Sequence, residues 1–576
     1  MKNFVIGLVV GVLLCGLAAL ILVFAAIRFA GSFANRPATV ADGSTLVLDL
    51  EGDVPERLPA EIPIPALQSQ RTMSVEQVWD ALRRAAADPR IRGVLFEPRN
   101  LDIGFGKMEE LHDEIVQFRK SGKPIVTYLH TPSAREYYAA VATDKIFLSP
   151  EDNLDVKGVA TESIFFKQTL DKLGVKAEVI HAGKYKDAGD MFTQTSMSPE
   201  TREQLNAILD QYYGNLISTI AEGRKKQPDA VRALIDDGPF LAKDALSDGL
   251  VDSLGYEDQA AQEMQSRLKQ SSLKRISGRA YEKGATAQAG ARRVALVVGQ
   301  GMITAGTGND TADDENFTGT GFIKLLKQVE NDSSIQGVIL RIDSPGGDAV
   351  ASDDILHEVK NLSRKKPLVV SMSDTAASGG YYVAATGDPI IAYPNTLTGS
   401  IGVVFARFAL HGLLDKAGVD AQLLTRGRYA DIDSSYMPLS DAERQKLTGQ
   451  IDAFYRAFVS RVAEGRKKSF DQIEPLAQGR VWVGSQAKDN GLVDQLGGLD
   501  RAIEVLKQQA HMSPSERVTL VPYPGRRSVL ELLFSRADPA ADVEMRLEKI
   551  LGGVPLRLLS DRNGFLKVMP YSIRVR

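Results

Sequence analysis

Residues 337–387 read GVILRIDSPGGDAVASDDILHEVKNLSRKKPLVVSMSDTAASGGYYVAATG. GVILRID (337–343) and PLVVSMSD (367–374) are short apolar runs of strand length. DDILHEVKNLSRKK (353–366), between them, repeats its apolar residues at helical spacing. Strand, helix, strand in that order predicts a parallel pair joined by a crossover helix. The pattern continues outward. Upstream lie a strand at VALVVG (294–299) and a helix at GFIKLLKQVEND (321–332). Downstream lie a small-residue helix through YYVAATG (381–387) and a strand at IIAY (390–393). The unit is α/β, with a mostly parallel sheet.

The same unit occurs earlier in the chain. KLGVKAEVIHAGKYKD (172–187) and KAGVDAQLLTRGRYAD (416–431) share seven of sixteen positions at an offset of 244. That offset also pairs Tyr137-Tyr138 with Tyr381-Tyr382, and Asp88-x-x-Ile91-x-Gly93 with Asp332-x-x-Ile335-x-Gly337. EGRKK recurs at 222–226 and 464–468, and GLVD at 249–252 and 491–494, now at an offset of 242. A period this long means tandem domains rather than a solenoid. Ser74 and Gln77 form a capping box ahead of the first helix of the earlier copy. The expected divisions are a first repeat at 46–268, a polar linker at 269–292, a second repeat at 293–510 and a tail at 511–576. The apolar-poor stretch 305–320 reads as a mobile loop.

The rest of the 576 residues sets limits. The net charge of −4 gives no sign of a nucleic-acid binder. The single cysteine, Cys15, permits no intramolecular disulfide and no cysteine-based metal site. The six histidines form no HExxH and no close pair, so neither a metal nor a cofactor is expected. Phe4 to Ile27 is an unbroken uncharged run of 24 residues. As a helix it spans about 36 Å, enough to cross a hydrocarbon core of roughly 30 Å. A cleaved signal peptide is the rival, but its apolar region is shorter, and no small-x-small site follows at once. The expectation is a transmembrane anchor at 4–27 followed by a linker at 28–45.

Chemistry is expected where the two copies disagree. Ser378 ends an apolar strand and opens a helix of Ala and Gly, where free N–H groups favour developing negative charge. Its counterpart is Ala134. Ser344-Pro345-Gly346-Gly347 offers backbone N–H groups with no side chain in the way, which suits an oxyanion hole; the first copy has no glycine there. Lys186 runs the other way, matching Ala430. The serine therefore belongs to one repeat and the lysine to the other, as in a duplicated domain that has divided one active site. A neutral lysine can take a serine proton once desolvation lowers its pKa from ~10.4. Taken singly, Ser378 reads as a helix cap and Lys186 as a surface lysine; the reciprocal loss favours the joint functional reading. Lys184 competes less well because its counterpart, Arg428, keeps the charge. Asp187 occurs in both copies, which argues for structure. The sequence leaves open whether Ser378 and Lys186 meet within one chain or across two protomers.

At these residues the sequence resembles the long, two-repeat form of the S49 serine peptidase family, the signal peptide peptidases. SPGG (344–347), AASGGYY (376–382), TLTGSIG (396–402) and GKYKD (183–187) carry the resemblance. It implies two crotonase/Clp-protease-like domains behind an N-terminal transmembrane helix. Ser378 would be the nucleophile and Lys186 the general base. Gly379, Gly346 and Gly347 would form the oxyanion hole, Ser400 would orient the lysine, and Ser344 would lie at the substrate. It further implies cleavage of spent signal peptides and other apolar peptides. The assembly would be a homotetramer in the bacterial inner membrane, with residues 1–3 cytoplasmic and the catalytic domains periplasmic. A soluble acyl-CoA enzyme of the same fold and a non-catalytic membrane scaffold are the competing classes.

Overall fold

The computed structural model describes residues 39–58, 73–284, 292–306, 317–525 and 566–568. The first repeat supplies β1 (Ser44–Glu51), β2 (Ile91–Arg99), β3 (Ile125–Leu129), β4 (Lys145–Leu148), β5 (Asn153–Leu154), β6 (Lys176–Ala182), β7 (Phe240–Leu241), β8 (Ser253–Leu254) and β9 (Lys274–Ser277). The second supplies β10 (Arg292–Gln300), β11 (Ile303–Thr304), β12 (Phe317–Thr318), β13 (Ile335–Ser344), β14 (Gly346–Asp348), β15 (Leu368–Ala377), β16 (Ile390–Ala392) and β17 (Leu397–Gly399). It continues through β18 (Val403–Ala409), β19 (Val481–Val483), β20 (Gln495–Leu496), β21 (Val518–Tyr523) and β22 (Leu566–Val568).

Each repeat builds a sheet around the same parallel core, to which the second adds β17 and the antiparallel β19. In the first it runs β8-β4-β3-β2-β1-β9; in the second, β13 lies between β15 and β10, and β10 is followed by β21. Alternation along the central strands explains their continuous apolar sequence. Val294, Leu296 and Val298 of β10 enter one core with the first repeat, whereas Ala295 and Val297 enter the second repeat's own core. Ile339 of β13 likewise faces the first core, and Val338, Leu340 and Ile342 face the second. A sheet covered on both faces needs apolar residues at successive positions.

The motifs shared by the repeats hold the architecture. Tyr137 Oη donates to the Leu250 carbonyl at 2.7 Å, and Tyr381 Oη to the Leu492 carbonyl at 2.8 Å. Arg224 pairs with Asp252 and Arg466 with Asp494, so EGRKK binds GLVD in each copy. Each aspartate also accepts a strand N–H, from Ile146 and Ile390. Repetition here marks a structural clasp.

Several boundaries differ from the sequence expectation. The linker placed at 269–292 contains β9, parallel to β1, and the helix Gly278–Lys283. Ile276 is the one buried residue of β9, too short an apolar signal to read as a strand. The tail placed after 510 contains β21, parallel to β10. β9 starts at Lys274 and β21 at Val518, an offset of 244, as in the earlier matched segments of the two copies. The repeat therefore runs further than its identities do. Within 305–320, residues 317–320 form β12 and the start of the helix Gly319–Asn331, while 307–316 lie outside the described residues. The helix expected through 381–387 spans Gly379–Ala384 and stops before Gly387, whose φ is 101°. The apolar run 4–27 lies outside the described residues. Among those described, no helix is long and apolar enough to cross a membrane.

A third sheet joins the repeats, in the order β12-β11-β14-β22-β18-β6. β6 of the first repeat runs antiparallel to β18 of the second, from Lys176↔Ala409 to Ala182↔Val403. This seam positions the site.

Candidate active site

The seam delivers the lysine. Lys186 follows β6 by four residues, and Ser400 precedes β18 by three, so the register Ala182↔Val403 draws the two together. Lys186 Nζ donates to Ser400 Oγ at 2.9 Å and to the Ser400 carbonyl at 3.1 Å. It also donates to Ser378 Oγ at 2.8 Å. All three residues are fully buried. The serine and the lysine thus meet within one chain, one from each repeat.

Ser378 sits at the end of β15 with φ 52° and ψ −114°, a conformation that side-chain-bearing residues rarely adopt. Such strain costs of order 1–3 kcal/mol and persists only where the surroundings over-determine it. Here its N–H donates to the Gly399 carbonyl at 2.8 Å, and its carbonyl accepts from Tyr382 N–H at 2.8 Å. The turn aims the hydroxyl at the lysine and sets Gly379 at the start of a helix.

The glycines are shaped for close approach. A Cβ on Gly379 would lie 3.1 Å from both Gly346 Cα and Gly347 N. Gly347 has φ 154°, and a Cβ there would lie 2.0 Å from the Ile303 carbonyl oxygen. Gly346 N–H donates to Ser344 Oγ at 3.2 Å. Ser344, expected at the substrate, is fully buried and braces this turn. Lys184 is exposed and lies over the Tyr185 ring, whereas Asp187 bonds Thr201 Oγ1. Burial pushes the Asp187 carboxyl up to about 6.

Two further glycines escape sequence reasoning. A Cβ on Gly479 would meet Lys186 Cβ at 2.5 Å, and one on Gly402 would meet Lys186 Cδ at 3.1 Å. They make the channel for the lysine stem. Tyr185 N–H donates to the Gln478 carbonyl, Gly479 N–H to that of Ile401, and Ser400 N–H to that of Arg480. The segment 478–480 therefore clamps both sides of the seam. The GSIG and AQGR glycines are visible in the sequence, but nothing local ties them to a lysine in the other repeat.

The second missed feature lies behind the site. Asp374, four residues before Ser378, accepts from Gly104 N–H at 2.9 Å and Lys107 N–H at 2.7 Å. It caps the first repeat's helix Phe105–Arg119, whose own N-cap is a glycine. Arg341 on β13 is fully buried and grips Glu56 through two bonds of 2.9 Å, with Glu110 and Ser371 as further partners. Among the described residues, no cluster fit to hold a metal ion occurs.

The model of peptidase family S49 matches residues 117–271 and 360–513, one segment in each repeat. The chain is 33% identical to "Serine protease SPPA, chloroplastic" of Arabidopsis thaliana, over 86% of this chain and 73% of that one. It is 30% identical to "Protease 4" of Haemophilus influenzae, over 88% and 85%. A "Putative signal peptide peptidase SppA" of Enterococcus faecium is 35% identical over 34% of this chain and 58% of its own. Among solved structures, ClpP1 from Listeria monocytogenes aligns at TM-score 0.22 and 18% identity, over 35% of this chain and 91% of that one. A serine held by a lysine from the other repeat thus stands in a chain matched in both halves, and this chain belongs to peptidase family S49 and is a serine protease.

Proposed function

We propose that the chain is a membrane-anchored endopeptidase with a Ser378/Lys186 dyad, acting on spent signal peptides and similar apolar peptides. The observation that carries this reading is the 2.8 Å contact from Lys186 Nζ to Ser378 Oγ. Burial disfavours an ammonium, and a neutral amine is the form that can accept a proton. Ser400 Oγ and its carbonyl fix the direction of the amine. Lys186 takes the hydroxyl proton as Ser378 Oγ attacks the scissile carbonyl carbon. The oxyanion meets the N–H groups of Gly379 and Gly347, the Gly346 N–H being held by Ser344 Oγ. The lysine then returns the proton to the leaving amine, and the peptide bond breaks to an acyl-serine. Water, deprotonated by the same amine, hydrolyses that ester.

Support for the substrate is the name of the Enterococcus relative and the apolar run at 4–27, which suits a protein held beside the membrane. We assign the catalytic repeats to the periplasmic face of a bacterial inner membrane. Cleavage of an internally quenched apolar peptide, carried through to the acyl-enzyme, tests the reading. Ser378→Ala and Lys186→Ala should each lose activity by at least the ~10²–10⁴-fold typical of a general base. Full activity in either variant would exclude the dyad.

A homotetramer is part of this reading, and the repeat supports it. The counterpart of β6 is the segment 420–426, and that of β18 is 159–165. β6 and β18 pair with each other, whereas both counterparts are outside any strand. Ile180 in β6 is 8% exposed, but its counterpart Leu424 is 92% exposed. Segment 420–426 of one copy on 159–165 of the next would repeat the seam head to tail and generate a ring.

A further inference from the structure

Lys107 is buried, comes from the first repeat and is not used by the dyad. Its Nζ lies 2.9 Å from Asp343 Oδ2 and 3.8 Å from Asp374 Oδ2. Asp343 immediately precedes Ser344–Gly347, and Asp374 lies four residues before Ser378. Between these strand ends the ladder breaks. From Ile342↔Met372 to Ser344↔Ala376, β13 advances two residues and β15 four. The extra residues make a bulge at 373–375, a device that re-aims the side chains beyond it. Across the bulge, Asp343 Oδ1 accepts from Thr375 N–H at 3.1 Å. The helix Phe105–Arg119 presses on the same place: a Cβ on Gly106 would lie 2.8 Å from the Ser373 carbonyl oxygen. At the repeat offset of 244, Lys107 matches Ala351, Asp343 matches Arg99 and Asp374 matches His130. The lysine belongs to one repeat and its two carboxylates to the other, the same division that marks Lys186 and Ser378.

We propose that Lys107 is a positioning residue for the active site: by binding Asp343 and Asp374 it fixes the bulge in β15, and with it the spacing between Ser378 and the oxyanion turn. The proposal rests on the peptidase reading above. The bulge shifts Ser378 along β15 relative to Gly346 and Gly347 on the neighbouring strand. Its shape therefore decides where the attacking hydroxyl stands against the N–H groups that receive the oxyanion. Two carboxylates at adjoining strand ends repel, and removal from water strengthens the repulsion. A cation between them converts it into a tie across the strands. Burial alone would depress the Lys107 amine, but Asp343, Asp374 and Glu56 hold it above the usual lysine range. Lys107 is thus a fixed charge, and it acts through the two strands rather than on the reacting atoms.

The test is a double-mutant cycle in the full chain, with Lys107→Met, Asp343→Asn and the two combined, read on the quenched peptide. Each single variant should lose about 10- to 100-fold in kcat, the scale of a small misplacement of reacting groups, with KM near native. The combined variant should fall no further than the more impaired single one, because both residues act through one ion pair. Inhibition by an apolar peptide aldehyde, whose adduct with Ser378 places an oxyanion on the same turn, should weaken in step with kcat. Arg224→Met is the control: it breaks the Arg224–Asp252 clasp away from the site, so it should lower the melting temperature and leave kcat unchanged. If Lys107→Met does not fold, Asp343→Asn gives the answer. Native kcat in either folded single variant, or multiplied losses in the combined one, overturns the proposal and leaves Lys107 a stabilising residue only. If the native chain neither cleaves the peptide nor binds the aldehyde, the peptidase reading fails and this assignment with it. If the native chain does both and the variants match it, the Lys107 assignment alone fails.

Discussion

Ser378 and Lys186 were legible as a pair because each is missing from the other repeat. A residue kept in both copies, such as Asp187 or Tyr381, proves to hold the fold. What was not legible is the room the lysine needs. Gly479 has φ 76°, and its missing Cβ leaves space for Lys186 Cβ, a relation created only by the fold. Gly479→Ala should therefore cut kcat/KM at least tenfold while the protein stays folded; native kinetics would show that the channel has slack. Ser400→Ala removes one of the two Ser400 groups that hold the amine. It should lower kcat more than it raises KM. The pH profile tests the amine itself. A lysine must be neutral to act as a base, so activity should rise with pH. A flat profile from acid to alkaline pH would exclude lysine as the base.

At the scale of elements, the central strands and helices follow from apolar spacing, whereas β9, β21 and the β6–β18 seam do not. β9 and β21 are edge strands with few buried residues, so their sequence carries little periodicity. The seam joins segments that belong to different repeats, a pairing no local pattern announces. Behind it, the helix Phe105–Arg119 is locked to the second repeat by charges that read as surface residues in sequence. Arg341→Ala would leave Glu56 and Glu110 buried without their cation, at a cost of about 3–5 kcal/mol. Chemical denaturation should detect it as a loss of joint unfolding of the repeats.

Glu114 on the same helix makes a second prediction. Burial, aided by the nearby Asp500 and Glu110 carboxylates, pushes it from its ordinary 4.5 up to about 9. Its Oε2 is buried without a hydrogen-bond partner. The folded state therefore binds the extra proton between those values. Its stability contribution is intact below pH about 4.5 and falls as pH rises to about 9. Glu114→Gln should raise stability at pH 8 by on the order of 1–3 kcal/mol and change little at pH 4. Equal effects at both pH values would contradict the assignment.

For the whole molecule, duplication explains the length, and divergence explains the site. One repeat carries the serine and its glycines, the other the lysine, and the seam between them brings the two side chains together within the chain. The unused half of the seam, 420–426 and 159–165, predicts assembly through a second copy. Leu424→Asp should shift the proposed assembly towards monomer in sedimentation analysis, whereas an unchanged mass would speak against this interface. Co-assembled Ser378→Ala and Lys186→Ala chains should stay inactive, because each centre is built within a chain.

The central claim is that Ser378 is a nucleophile activated by Lys186. Labelling with a fluorophosphonate probe, mapped by peptide mass spectrometry, tests it most directly. A single adduct on Ser378 is expected in the native chain, and its loss in Lys186→Ala. An adduct on another residue, or undiminished labelling of Ser378 without Lys186, would contradict it.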